Sequence, residues 1–560
     1  MEKKQQDWDT IIIGSGAGGL AAAICLSREG LKVLVLEKHD VPGGWCHSFY
    51  LNGHRFTPGV HYIGLLGEGE STSDLYKGLG IANDLVFFRM NPDAYEHCWI
   101  GDEKFDYPSN LEELKERLAK RFPQEKKNIE KYLTLVKNVS TQIYSLPYIK
   151  GFWQKLTTPY RTRHMGKYGL FSLKRVINWH IKDPLLKNIL NVQCGDHGLQ
   201  PRKAAFPLHC ALMSHYFNGS YYPMGGGGAL IKAKTNALKK HNGKIRTSTG
   251  VKKIILEENS KIKKAVGVEL ENGEKLYAKN IISNADPGIT YLKLIGEEKL
   301  SKKLLKKLSK TKYSCTSLML FLTVDLDVKK AGLDSGNIWL MPDKDADEFY
   351  DGLMKEDILK DDAFEGMFIS CTTLKDPSSY NGKEHSLEVI TYINYDSFKE
   401  FENENEERSK AYLEFKEKLT QKMLNGLEKA IPNIREHIIH QDLGTPITNE
   451  YYVNSTRGNV YGTEKSLMHI GPFSYKPKSE IENLYLCGAS ILSHGVAGAA
   501  HSGVETASII LNCEADSLRE PQPGQELTIL EAEDSTNYPD WLAKKIEHRK
   551  TRAKAKSLVD

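Results

Sequence analysis

The sequence predicts an α/β fold of two domains, and three observations predict it. Asp9-Thr10-Ile11-Ile12-Ile13 reads as a short buried parallel strand and runs straight into Gly14-Ser15-Gly16-Ala17-Gly18-Gly19 and an Ala/Leu-rich helix ending near Ser27. At 560 residues the chain exceeds one typical core, so at least two domains are expected. From Tyr95 to Tyr107 two short strands about a Gly101-Asp102 turn depart from the strand–helix alternation, which marks entry into a second domain.

The first unit is built to hold a dinucleotide. Gly14 allows a tight turn, Gly16 removes the Cβ that would block a pyrophosphate, and Gly19 lets the helix pack closely on the strand. The helix N-terminus around Ser15, Ala17 and Gly18 presents free N–H groups to the phosphates. A second strand, Leu31 to Leu36, ends in Glu37, 23 residues after Gly14. A carboxylate there accepts hydrogen bonds from the ribose hydroxyls and argues against a 2′-phosphate. Lys38 joins it as a cofactor-binding candidate.

Val41-Pro42-Gly43-Gly44-Trp45-Cys46-His47-Ser48-Phe49 follows, then Phe56-Thr57-Pro58-Gly59-Val60-His61-Tyr62-Ile63-Gly64. The Gly43-Gly44 pair resembles the flavoprotein pattern in which the chain doubles back past the pyrophosphate and carries residues up to an isoalloxazine ring. With these motifs the chain resembles the phytoene desaturases, carotenoid cis–trans isomerases and retinol saturases, over roughly residues 7–513. The resemblance implies a discontinuous Rossmann-like FAD-binding domain over residues 1–90, 221–300 and 478–513. It implies a mixed-sheet substrate domain over 91–220 and 301–477 with a helical cap at about 110–191, leaving 514–560 as a charged C-terminal tail.

Residues 110–191 are mainly helical in pattern, and their centre mixes Trp153, Tyr160, Tyr168, Phe171 and Trp179 with Lys150, Lys155, Arg161, Arg163, Lys167, Lys174 and Arg175. Three readings stay open: a cap whose aromatics pack inward, a surface facing anionic lipid, and base–aromatic stacking on single strands. Gln193-Cys194-Gly195-Asp196-His197 through His215-Tyr216-Phe217 to Tyr222-Pro223-Met224-Gly225-Gly226 resembles the retinol saturase branch. His209 and His215 read as structural in this aromatic setting. Gly225 to Gly228 lacks the preceding strand and following acid of a second nucleotide site.

A helix from Ala229 to Lys240 and strands at 244–247, 251–256, 265–270 and 274–278 come next, with turns at Asn242-Gly243 and Asn272-Gly273. By resemblance, the backbone at Val251 meets the adenine and Ile281-Ile282-Ser283-Asn284-Ala285-Asp286-Pro287 closes the unit. Strand character returns at 316–324, 337–341, 367–371 and 387–394, and Ser409 to Ala430 reads as an amphipathic helix. The segment Leu484-Tyr485-Leu486-Cys487-Gly488 is a buried strand that would deliver Gly488 to the ribityl chain. The helix beginning near Val496, with Gly495 and Gly498, would aim its N–H groups at the flavin N1–C2=O edge. Two departures separate this chain from its nearest branch. It has Gly-Gly-Trp-Cys-His where retinol saturases usually carry Gly-Gly-Cys-Cys-His, and its Ser493-to-Ala499 segment is closer to the carotenoid isomerase pattern.

Composition excludes several alternatives. Hydrophobic residues make up 40% and charged residues 26%, and the net charge of +4 gives no global case for nucleic acid. Nine cysteines without CxxC spacing indicate neither zinc nor disulfides, and no metal-ligand cluster is seen. No uncharged stretch has the length to span a bilayer, so a cytoplasmic protein, peripheral on an anionic membrane, is expected. Three readings of the acidic-then-basic tail stay open: a docked helix, a lipid contact, or disorder.

No Ser/His/Asp arrangement stands out, so FAD would be the reactive group. The resemblance implies a long apolar polyene as substrate and saturation of one of its double bonds. Cis–trans isomerisation, desaturation and a flavin-binding membrane-surface role without turnover are the alternatives. An isolated alkene has no carbonyl to polarise, so a positioned acid is needed. His61, Tyr62 and His494 are the candidates, His61 first. With no second dinucleotide fingerprint, NAD(P)H would visit transiently as external reductant or a separate reductase would donate electrons.

Overall fold

The computed structural model describes residues 7–146, 157–259, 262–402 and 408–556. Its first sheet has seven strands gathered from three parts of the chain. The β-branched run Trp8–Ile13 lies between Lys275–Ser283 and Val33–Leu36, parallel to both, with Ile11 opposite Ile281 and Leu34. Lys244–Arg246 continues one side, and Leu484–Leu486 pairs in parallel with Ser283 and its neighbours on the other. A hairpin, Val251–Asn259 and Ile262–Leu270, attaches antiparallel to the start of Lys275–Ser283. The helix Ala17–Arg28 covers one face and packs on Gly495–Leu511 and on Gly226–Lys240. A side chain at Gly503 would overlap the Gly18 carbonyl, so the first two helices meet at backbone distance.

The second sheet, also of seven strands, runs in the order Ile438–Gly444, Thr316–Val324, His385–Ile393, Met367–Cys371, Asn337–Met341, Glu96–Ile100, Glu103–Tyr107. All its pairs are antiparallel except Asn337–Met341 with Glu96–Ile100. Thr316–Val324 and His385–Ile393 are buried at every position, because both faces are covered. Met319 and Phe321 point into a core shared with the cap helices, while Leu318, Leu320 and Leu322 face the core beneath Lys410–Ala430. Ser409 caps that last helix, its Oγ accepting from Tyr412 N at 3.0 Å.

The tail is the place where structure and sequence part. Thr528–Glu531 pairs in parallel with Val86–Arg89, which also pairs with Tyr221–Pro223, giving a three-stranded sheet. The helix Asp540–Lys556 docks beside Pro377–Ser379 and buries Leu542 completely. Residues 528–531 and 540–556 thus pack on elements far upstream in the chain, a pairing that no local pattern in the tail signals.

All nine cysteines are free. Among the described residues no helix is long and apolar enough to cross a membrane. In the cap, Tyr160, Leu170 and Trp179 are 71, 76 and 51% exposed. Arg175 stacks over Phe171 and Trp179, and Arg163 over Tyr160. Lys150, Trp153 and Lys155 lie outside the described residues.

Candidate functional site

One cleft, about 1660 Å³ counting its open mouth, runs from Glu37 past the glycine turns to His61 and Tyr62 between the two sheets. At its outer end, Gly14 has φ 92° and turns the strand into the helix. Ser15 then folds back on the next strand: its N–H and its hydroxyl both donate to Glu37 Oε2, at 2.9 and 2.5 Å. The Ser15 Oγ accepts from Gly43 N at 3.0 Å, and His39 N donates to Glu37 Oε1 at 3.0 Å. One carboxylate thus ties the pyrophosphate turn, the ribose strand and, through Ser15, the Gly43-Gly44 turn. Thr249 and Val251 line the same end, and Lys38 forms an exposed pair with Glu271 at 3.6 Å.

The middle of the cleft is a glycine cradle. Gly14, Gly16, Ala17 and Gly18 line it together with Gly43, Gly44, Gly488, Gly495 and Val496, and Gly18 packs directly on the Gly488 backbone. Gly495 has φ 75°, and a Cβ built on it would project into open space with nothing within 4 Å. The helix that it opens has no side-chain cap, so its first N–H groups are free to meet a ligand. Asn284, which carried no role in the sequence reading although it sits in the Ser283-to-Pro287 motif, is the brace of this cradle. Its Oδ1 accepts from Gly19 N at 3.0 Å, and its Nδ2 would lie 2.7 Å from a Cβ at Gly16. A side chain at Gly16 would thus collide with the Asn284 amide, a packing reason for that glycine apart from any ligand. Gly19 and Gly498 stand off the cleft wall: Gly19 packs on the Gly14 carbonyl and Gly498 on Ser493. Ribose acid, free helix N–H groups and a groove where any Cβ would intrude fit a dinucleotide flavin.

The inner end is apolar above and charged below. Trp339, Phe368, Met319 and Ile390 form walls of the cleft, with Trp339 and Phe368 edge to face at 4.7 Å. His61 packs on Phe368 at 5.2 Å, and its Nδ1 stands 3.2 Å from Glu388 Oε2. At that angle neither atom makes a hydrogen bond, so the contact becomes an ion pair only when the ring is protonated. Glu388 Oε1 accepts from Thr57 N at 2.5 Å. Beneath them Lys375, fully buried, donates to the His61 carbonyl at 2.8 Å, to Ser370 Oγ at 2.7 Å and to Asn337 Oδ1. Burial pulls its ammonium down to about 7.

Tyr62 stacks on Tyr216 at 4.4 Å, and its hydroxyl meets Glu96 Oε1 at 2.5 Å and Asp196 Oδ2 at 2.6 Å. Glu96 also accepts from Trp339 Nε1 at 3.0 Å. Burial pushes Glu96 up to about 7, Asp196 well above the usual carboxylate range, and the Tyr62 phenol upward. The sequence reading named Tyr62 and missed both acids. A Glu in a strand that otherwise reads as half-exposed gives no local sign of being 0% exposed.

His494 takes a different place from the one expected of an acid. Its Nε2 donates to the Asp196 carbonyl at 2.8 Å, and burial drives its imidazolium down to about 3, so the ring is neutral and orients backbone. His215 Nε2 accepts from Gly64 N at 2.9 Å, and His209 Nδ1 lies 3.3 Å from His197 Nε2, both in structural positions. Among the described residues no group of His, Cys, Asp and Glu could hold a metal ion.

Comparison with known proteins adds the lineage. A family model described as flavin containing amine oxidoreductase matches residues 17–511. Over 532 residues the chain is 29% identical to the all-trans-retinol 13,14-reductase of Danio rerio, covering 90% of this chain and 86% of that protein. It is 27% identical over 529 residues to the chloroplastic prolycopene isomerase of Daucus carota, covering 90% and 79%. An oxidoreductase from Methanosarcina mazei of known structure shares the fold with TM-score 0.59 at 16% identity, covering 89% of this chain and 99% of that one.

Proposed function

The chain belongs to the flavin containing amine oxidoreductase family and is a flavin-dependent oxidoreductase, and from that premise we propose that it uses FAD to saturate a carbon–carbon double bond of a lipophilic conjugated polyene. A retinoid-like or carotenoid-derived substrate fits best. The observation that carries this reading is the junction at His61 and Tyr62, where an apolar, aromatic-walled compartment meets the glycine cradle directly above buried acids. The names of the relatives, a retinol reductase and a prolycopene isomerase, support polyenes as the substrate class.

Bound in the cradle, reduced FAD supplies hydride; the chain supplies position and protons. Gly495 and Val496 offer N–H groups at a helix N-terminus, where negative charge on a bound group is stabilised. Trp339 and Phe368 align a flat conjugated chain and exclude water. Saturation needs a proton at the second carbon, and the side chains at the junction are the ones placed to hold it. NAD(P)H as a transient visitor or a partner reductase would restore the reduced flavin. The exposed aromatics and bases of the cap support peripheral docking on an anionic membrane, where such substrates dissolve.

The test is anaerobic turnover of pre-reduced holoenzyme with candidate polyenes, read by mass and flavin absorbance. Saturation oxidises one flavin per turnover and gives a product two hydrogens heavier. Isomerisation, the reading supported by the prolycopene isomerase relative, leaves mass and flavin state unchanged; desaturation needs oxidised flavin and gives a lighter product.

A further inference from the structure

Tyr62 has one hydroxyl proton and two carboxyl neighbours, at 2.5 and 2.6 Å. If both acids were ionised, the proton would serve one of them. The other would press its lone pairs on the phenol oxygen, with a second negative charge close by. The contacts close only if one carboxyl is protonated and donates to the phenol oxygen while the phenol donates to the other. The two acids are not equivalent. Glu96 accepts a further hydrogen bond from Trp339, and the Lys375 ammonium acts on it favourably. Asp196 has Tyr62 as its carboxyl's hydrogen-bond partner, and the charge that acts on it is that of Glu96. The ionised form therefore belongs to Glu96, and the proton to Asp196. Burial works in the same direction on Asp196. A carboxylic acid kept neutral in an apolar site so that it can donate is a known device.

We propose that Asp196 is the proton donor of this cleft, with Tyr62 and Glu96 as the positioning residues that keep it loaded. Asp196 lines the cleft beside Tyr62, whose ring is clamped by Tyr216, so the acid faces the compartment assigned to the polyene. The proposal rests on the reduction inferred above. In that step a hydride and its electron pair add to one carbon while the Asp196 O–H bond breaks and its proton forms the second C–H bond. The π bond is lost, FAD is the two-electron reductant, and Asp196 is left as a carboxylate. It then faces Glu96 across a single hydroxyl, a like-charge arrangement that favours recovery of a proton from solvent. The other titratable groups that act on it include Tyr216, Tyr350, Tyr392 and Tyr461, all phenols, the buried Cys194 thiol, and His494, neutral on the Asp196 carbonyl, with Lys465 near that ring.

Infrared spectroscopy of the holoenzyme tests the proton directly. At neutral pH the wild type should show a deuterium-sensitive carboxylic acid C=O band that Asp196→Asn removes and His61→Phe leaves in place. In Glu96→Gln the band's titration midpoint should fall by at least about one pH unit, because the like charge is gone. This second variant decides the matter even if Asp196→Asn does not fold. With flavin content and polyene binding kept, Asp196→Asn should reduce polyene at least about a hundredfold more slowly, the usual scale for a general acid. No band in the wild type, a band that survives Asp196→Asn, an unmoved midpoint in Glu96→Gln, or wild-type rate in Asp196→Asn each overturns the proposal. If the wild type reduces no polyene the functional reading fails, while the band still decides where the proton sits.

Discussion

Ser15 Oγ lies 2.5 Å from Glu37 Oε2, and the same serine's N–H reaches the same oxygen at 2.9 Å. The acid expected to hold a ribose is therefore also the anchor of the pyrophosphate turn. Glu37→Arg should abolish flavin retention, since a cation replaces the acceptor and the turn loses its anchor at once. Ser15→Ala removes one charge-assisted bond and the link to Gly43. A loss of about tenfold or more in flavin affinity is expected there. Flavin absorbance per protein after dialysis measures both, and a fully yellow Glu37→Arg protein would contradict the assignment.

Gly195 packs against the six-membered ring of Trp339, so closely that a Cβ would overlap it. Gly195→Ala must displace the indole that donates to Glu96. Overpacking of this kind costs about 1–3 kcal/mol. The expected outcome is a lower melting temperature together with a changed tryptophan emission and a slower polyene reaction. A variant with unchanged stability and emission would show that the indole moves freely, against the tight wall described here.

His97 sits between two acids, its Nδ1 2.7 Å from Asp106 Oδ1 and its Nε2 3.0 Å from Asp334 Oδ1. Burial disfavours its imidazolium, but the bonds to Asp106 and Asp334 outweigh that and raise it to about 9 from an ordinary 6.5. Because the folded value lies above the unfolded one, the stabilisation is full below pH 6.5 and is lost as pH rises through about 9. In urea unfolding, wild type should exceed His97→Gln by an amount that shrinks by on the order of 3 kcal/mol across that window. A gap that does not change with pH would refute the charged assignment.

Membrane docking through the cap predicts salt sensitivity. Each basic residue near an anionic surface contributes on the order of 1 kcal/mol, and Arg175 with Trp179 forms the best-defined exposed pair. Arg175→Glu combined with Trp179→Ser should weaken liposome flotation by about tenfold or more while leaving flavin content unchanged. Flotation indifferent to salt, to anionic lipid and to this double variant would remove the idea.

The elements around the cofactor cradle were legible because their signals are local. The β-branched run at Ile11, the glycines from Gly14 to Gly19, the strand ending in Glu37 and the continuous apolar run within Thr316–Val324 each encode their own geometry within a few residues. The sequence by itself thus determined the glycine turn with its flanking strands and six of the seven strands of the second sheet; Ile438–Gly444, its edge strand, was not among them. It did not determine what surrounds the reacting end. Tyr62, Glu96 and Asp196 are separated by 34 and 134 positions, measured from Tyr62. Each looks ordinary in its own segment. The tertiary structure alone decided that two acids share one phenol, that Lys375 sits under His61, that His494 is a neutral backbone ligand and that Thr528–Glu531 completes a sheet with Val86–Arg89. The reason is physical: a carboxyl's proton affinity is set by burial and by the charges brought near it, and neither quantity exists until distant segments have packed.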